Sequence, residues 1–274
     1  MASARDGTTL LGDLRFHFLD WGTSGRPPVL LLHGGAQTAH SWDEVAPELA
    51  ADHHAVALDQ RGHGDSERAP GGVYRRADFV SDVRGFLDDR GWSAATLIAL
   101  SMGGLNAIAL AASHPDRVRG LVVVDVAPTV EPAGRDAIAR QLTRRDFDSF
   151  EEAVTAAHAF NPRRTLENIR ERLRHALRQT SDGRWTYKFD PAVFGAADLE
   201  LEALWEEVRR IRAPTLLVRG AESPILAAET AERFRRELPG CAVAEVSGAG
   251  HSVMGDNPIG FVAAVRPFLA RHGL

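Results

Sequence analysis

The 274-residue chain has one cysteine, Cys241, so it can close no internal disulfide and has no thiolate pair for a metal site. It also lacks any apolar run near the ~18 residues that a membrane span requires. The opening "MASARDGTTLLGDLRFHF" has no continuous apolar core of signal-peptide length. The expected location is therefore the cytoplasm, with no membrane partner. Positive charge is not in excess: a net charge of −5 and a pI near 6.1 leave no electrostatic footprint for nucleic acid. The 11 histidines fall at spacings that form no HExxH pair and no Cys/His set, so no metal is expected. No internal repeat or linker divides the chain. A small-molecule substrate remains as the expected partner, with a monomer or a homodimer both open.

What is present has the profile of a globular protein: 44% hydrophobic and 25% charged residues, with glycine and proline as punctuation. "RFHFLDW", residues 15–21, alternates and reads as an exposed-edge strand. "PPVLLLHGG" is instead a short continuous apolar run ending in glycines, as suits a strand buried on both faces of a parallel sheet. The same punctuation recurs at 54–64, 95–104, 118–128, 214–223 and 241–251. Helix-like segments lie between these runs, around 43–51, 75–91 and 103–113, then 227–238 and 258–271. This alternation predicts the α/β class, a doubly wound and mostly parallel sheet. Residues 130–210 break the rhythm and read as amphipathic helices, an insertion into a core formed by 1–129 and 211–274. Most of the insertion's arginines, nearly balanced by acids, read as a solvated face.

In open α/β sheets functional groups gather at the carboxyl ends of the strands. Those ends carry His33-Gly34-Gly35, Asp59, Ser101, Asp125, Glu222 and His251. "ALSMGG" sets Ser101 between a β-run and a helix with small neighbours, as a tight turn projecting a nucleophile needs; a serine N-cap is the bland alternative. The glycines of "LLLHGG" leave backbone N–H groups free, so Gly35 together with Met102 at the helix start offers an oxyanion site. His33 is expected to hold that loop. "GAGHSV" places His251 on a glycine-rich loop beyond the last strand, within reach of Ser101.

With "LLHGG", "DQRGHGDS", "ALSMGG", "LLVRGAES" and "GAGHSV" in this order, the chain resembles the α/β-hydrolase superfamily from about residue 8 to 270. The resemblance implies an α/β-hydrolase fold with an inserted helical cap at 130–210, a serine nucleophile and no cofactor. It leaves esterases, lactonases, amide hydrolases, cofactor-free lyases or dioxygenases and non-enzymatic receptors all open.

One element departs from the pattern. The superfamily takes its third catalytic group, an acid, from the loop after the penultimate strand, where this chain has Ser223 and Pro224, with Glu222 the only acid nearby. Asp125, at the end of "LVVVD", lies one strand over, about 4.8 Å away. Acetamidomethylene-succinate hydrolases resemble this arrangement. Asp125 is therefore the expected acid and Glu222 the reserve, whereas Asp59 reads as a structural turn. In the cap, Phe160, Trp185 and Phe194 are candidates for an apolar pocket, although aromatics there also serve as cap core. Arg144, Arg145, Arg163 or Arg164 offer themselves to a substrate carboxylate.

Overall fold

A computed structural model of the chain describes residues 3–195 and 201–274. The strands, in chain order, are β1 (Arg5–Leu11), β2 (Leu14–Asp20), β3 (Pro28–Leu32), β4 (His54–Leu58), β5 (Ala95–Leu100) and β6 (Val118–Val124), then β7 (Asp146–Phe147), β8 (Leu177–Gln179), β9 (Trp185–Tyr187), β10 (Thr215–Gly220) and β11 (Ala242–Val246). The helices are α1 (Ala46–Leu49), α2 (Arg76–Asp89), α3 (Met102–Ser113), α4 (Pro132–Thr143) and α5 (Phe150–Phe160), then α6 (Leu166–Ala176), α7 (Leu204–Arg210), α8 (Ala228–Glu237), α9 (Val253–Asp256) and α10 (Pro258–His272).

Eight strands form one sheet in the order β1-β2-β4-β3-β5-β6-β10-β11. The pairings β1–β2 and β2–β4 are antiparallel and the rest parallel. The continuous apolar runs follow from burial on both faces, with alternate residues entering opposite layers. Leu30, Leu97 and Val123 pack against Phe86 of α2, Ile108 of α3 and Phe234 of α8. Leu31, Ile98 and Val122 pack on the other side against Leu49 of α1 and Phe261 and Val265 of α10.

The strand expected at the sheet edge is not there. β2 is second in order, with Phe16 to Leu19 buried, and β1 covers its outer side in a seven-residue antiparallel register. β1 is itself polar and mostly exposed, which is why no apolar run announces it.

The insertion between β6 and β10 contains α4 to α6 and, beyond the expected helices, a small antiparallel sheet in the order β7-β9-β8. Its own core gathers Phe147, Val154, Ile169, Leu173 and Leu177. Serine and threonine N-caps start α5 and α6: Ser149 accepts the N–H of Glu152, and Thr165 that of Asn168. α7 behaves differently from the rest, because Trp205 and Val208 pack into the layer of α3 and α8 under the main sheet. No helix among the described residues is long and apolar enough to cross a membrane.

Candidate active site

Strained backbone collects where three neighbouring strands end. Among the described residues, Ala36, Ser101 and Asp125 are the non-glycine residues of positive φ, at 59°, 52° and 52°, and they follow β3, β5 and β6. Such conformations persist where the surroundings enforce them, and they cluster at functional sites.

Ser101 caps α3 with φ 52° and ψ −118°, so its side chain stands off the sheet while the chain reverses into the helix. The turn is tight enough to dictate its neighbours. A Cβ at Gly103 would lie 2.6 Å from the carbonyl oxygen of His33 and 2.8 Å from that of Leu32. Ala99 occupies the other small position, buried between β3 and β6. Met102, as the first residue of α3, has an N–H with no acceptor in its own helix.

His33 is buried beneath the glycine loop. Its Nε2 accepts the N–H of Gln60 at 3.0 Å, which fixes the neutral tautomer whose Nδ1–H donates to Gly34 O at 2.8 Å. Burial pushes its pKa down, in keeping with that neutral form. Gln60 also donates to His33 O and accepts from Asn106 of α3, tying the loop to the helix that begins after Ser101.

Asp125 and His251 meet: His251 Nδ1 lies 2.8 Å from Asp125 Oδ2, with the carboxylate fully buried and the ring about 17% exposed. Asp125 also accepts the N–H of Gly220 at 3.0 Å and the hydroxyl of Ser223 at 2.5 Å. The position where the superfamily pattern has its acid thus supplies a donor to the acid one strand away. Ser223 Oγ in turn accepts the N–H groups of Ile225 and Leu226. Glu222 faces elsewhere and takes both Nε and Nη2 of Arg163, at 2.8 and 2.6 Å.

Ser101 lies on the wall shared by two cavities. One, of about 490 Å³, is mostly apolar, with Phe79, Val126, Ile138, Phe189 and Phe194 among its lining. The other, of about 330 Å³, brings Ser101 together with Gly34, Gly35, His251, Arg172 and Tyr187. No hydrogen bond joins Ser101 to His251 among the described residues; such contacts commonly close only around substrate.

Of the pocket aromatics expected from sequence, Phe194 lines both cavities and Phe160 the second. Trp185 stands apart from these linings, on β9 rather than a helix, stacked edge-on to Phe150 in the insertion's core. Of the arginines, Arg144 pairs with Glu152, Arg163 with Glu222 and Arg164 with Asp256, so protein carboxylates already engage them; Arg145 lines the apolar cavity. Ser223, Arg172 and Tyr187 escaped the sequence reading. Only Ser223 had left a signal, as the residue standing where an acid was expected.

Asp59 is buried in the "DQRGHGDS" turn. It accepts from the Ala39 and Asp65 N–H groups and from His17. Two clusters bring three potential metal ligands within 4.8 Å of one another: His17, Asp59 and Asp65, and His40, Asp43 and His175. In the first, burial is the largest influence on His17 and opposes its charge, but the hydrogen bonds and charges of Asp59, Asp6 and Asp65 together outweigh it and raise the pKa to about 9. In the second, the rings of His40 and His175 stack 3.4 Å apart. Neither cluster lines the cavities at Ser101.

The family model for the alpha/beta hydrolase fold matches residues 27–258. The esterase Rv0045c of Mycobacterium tuberculosis is 34% identical over 92% of this chain and 85% of its own length. Its crystal structure superimposes with a TM-score of 0.81 at 30% identity, covering 97% of this chain and 91% of that one. The 2-(acetamidomethylene)succinate hydrolase of Mesorhizobium japonicum is 27% identical over 89% of this chain and 88% of its own. A crystal structure of an alpha/beta hydrolase from Novosphingobium aromaticivorans reaches a TM-score of 0.85 at 28% identity, covering 99% of each chain. With its mostly parallel sheet, its serine at the strand-to-helix turn and these relatives, the chain is a member of the alpha/beta hydrolase family and a hydrolase.

Proposed function

We propose that the protein is a serine esterase acting on a small molecule, with Ser101 as nucleophile, His251 as base and Asp125 as the acid that orients it. The observation that carries this reading is the 2.8 Å contact of His251 Nδ1 with Asp125, on a ring that shares a cavity wall with Ser101. With Asp125 holding the Nδ1–H, Nε2 is the free basic nitrogen.

In the acylation step the Ser101 Oγ–H proton passes to His251 Nε2 as Oγ bonds to the carbonyl carbon. The carbonyl oxygen takes the negative charge and lies against the N–H groups of Gly35 and Met102. Collapse of that intermediate breaks the carbon–oxygen bond to the leaving alcohol, which departs with the proton from His251. Water then attacks the acyl-enzyme, losing its proton to His251, and Ser101 recovers that proton as the acid leaves. These steps call on no metal or organic cofactor.

The inserted segment within 130–210 acts as the cap that shapes the substrate site, apart from α7, whose packing belongs to the core layer. Contacts between the cap and the core include Arg164–Asp256, with both side chains buried, Tyr74–Asp190 at 2.7 Å and Lys188–Asp65. Labelling with a fluorophosphonate probe, followed by mass spectrometry, tests the nucleophile. The expected adduct is on Ser101, with loss of both labelling and aryl-ester turnover in Ser101→Ala. An adduct elsewhere, or turnover that survives Ser101→Ala, overturns the reading.

A further inference from the structure

Three arginines reach the wall of the polar cavity, and two are already matched. Arg163 is paired with Glu222, and Arg164 with Asp256 at 3.1 Å. Asp256 is further engaged by the side chain of Asn161 and the N–H of Gly250. Arg172 of α6 has no such match: among the described residues it forms no ion pair, and its buried Nε has no hydrogen-bond partner. Of the three, Arg172 alone has no carboxylate within ion-pair distance among the described residues.

An unpaired charge held out of water is costly, and a fold seldom carries one that nothing will meet. Burial, and next the neighbouring Arg164, push the Arg172 pKa down to about 10, still far enough above neutrality to keep the group charged. Tyr187 of β9 lines the same cavity, with its hydroxyl free of hydrogen bonds among the described residues. Burial raises its pKa, so the phenol keeps its proton and can donate.

Resting on the esterase reading above, we propose that Arg172, assisted by the Tyr187 hydroxyl, binds a single carboxylate of the substrate. The substrate class is then a small anionic ester, with a carboxylate lodged in the polar cavity beside the scissile carbonyl and an apolar portion in the larger cavity. A planar guanidinium offers paired donors that match a carboxylate. One unmatched positive charge balances a monoanion, which favours a carboxylate over a phosphate dianion.

Binding and turnover test the subsite separately. In Ser101→Ala protein, calorimetry should detect binding of monomethyl glutarate, a monoanion, weakened about tenfold to a hundredfold by adding Arg172→Met, as the loss of a charge-assisted hydrogen-bonded pair implies. Inorganic phosphate should bind no more tightly than monomethyl glutarate. With Ser101 intact, Arg172→Met should raise KM for the 4-nitrophenyl monoester of glutarate by a similar factor, and by far less for the neutral 4-nitrophenyl pentanoate. Arg172→Lys, which keeps the charge, should retain part of the preference, and it decides the matter should Arg172→Met fail to fold. Monomethyl glutarate affinity indifferent to Arg172, phosphate bound more tightly, or equal losses on the charged and neutral esters would overturn the proposal. Arg172-dependent binding of monomethyl glutarate without turnover of either ester would sink the esterase reading and leave the subsite standing.

Discussion

Ser223 donates a 2.5 Å hydrogen bond to Asp125, across the gap between β10 and β6. The same carboxylate oxygen receives His251, so the position that holds an acid in the superfamily pattern here supports an acid placed one strand away.

That proximity predicts an exchange. Asp125→Asn should lower kcat/KM for an aryl ester by about 10³–10⁴, the scale seen when the orienting acid of a serine triad is neutralised. Adding Ser223→Asp to that variant returns a carboxylate within reach of the ring and should recover at least about tenfold. Ser223→Asp alone places two carboxylates together and should be less active than the parent. A double variant no more active than Asp125→Asn would show that residue 223 cannot serve His251.

The strain at Ser101 should be measurable as stability. Its φ of 52° suits glycine better than any residue with a side chain. Ser101→Gly and Ser101→Ala should both be inactive, but the glycine variant should be the more stable by about 1 kcal/mol in denaturant unfolding. Equal stabilities would mean that the turn carries no such strain.

Stability should peak near pH 6.5, with histidine contributions falling on each side. His17 is raised to about 9 in the fold, so its contribution is complete below its unfolded value near 6.5 and is lost as pH climbs through 9. His63 goes the other way: burial, and next the proximity of the second titratable ring, His33, depress its pKa to about 3. Its contribution is present above 6.5 and drains away as pH falls towards 3. Melting temperatures from pH 4 to 10 should trace this dome, and His17→Gln should flatten its alkaline limb. An unchanged alkaline limb in that variant would remove His17 as the cause.

Much of this was legible in the sequence because burial on both faces writes itself as continuous apolar runs. β3, β5, β6 and β10 are such runs, and Ser101, Asp125 and His251 follow strands or their glycine loops. β1 left no trace, because an exposed outer strand needs no apolar pattern, and its partner β2 was read as the edge in its place. The strands of the insertion are two or three residues long, too short for any period to show. Arg172 looks in sequence like its neighbours Arg170 and Arg174. What separates them is pairing, since those two meet Glu151 and Glu171, and pairing depends on the folded arrangement.

Which carboxylate serves His251 is tested most directly by aryl-ester kcat/KM in Asp125→Asn and Glu222→Gln, measured side by side. Glu222 is half exposed and occupied by Arg163, an ion pair of the solvent-screened kind, so Glu222→Gln should change turnover by no more than about threefold. Asp125→Asn should lose at least about a thousandfold. Loss of activity in Glu222→Gln with Asp125→Asn near the parent would contradict the account.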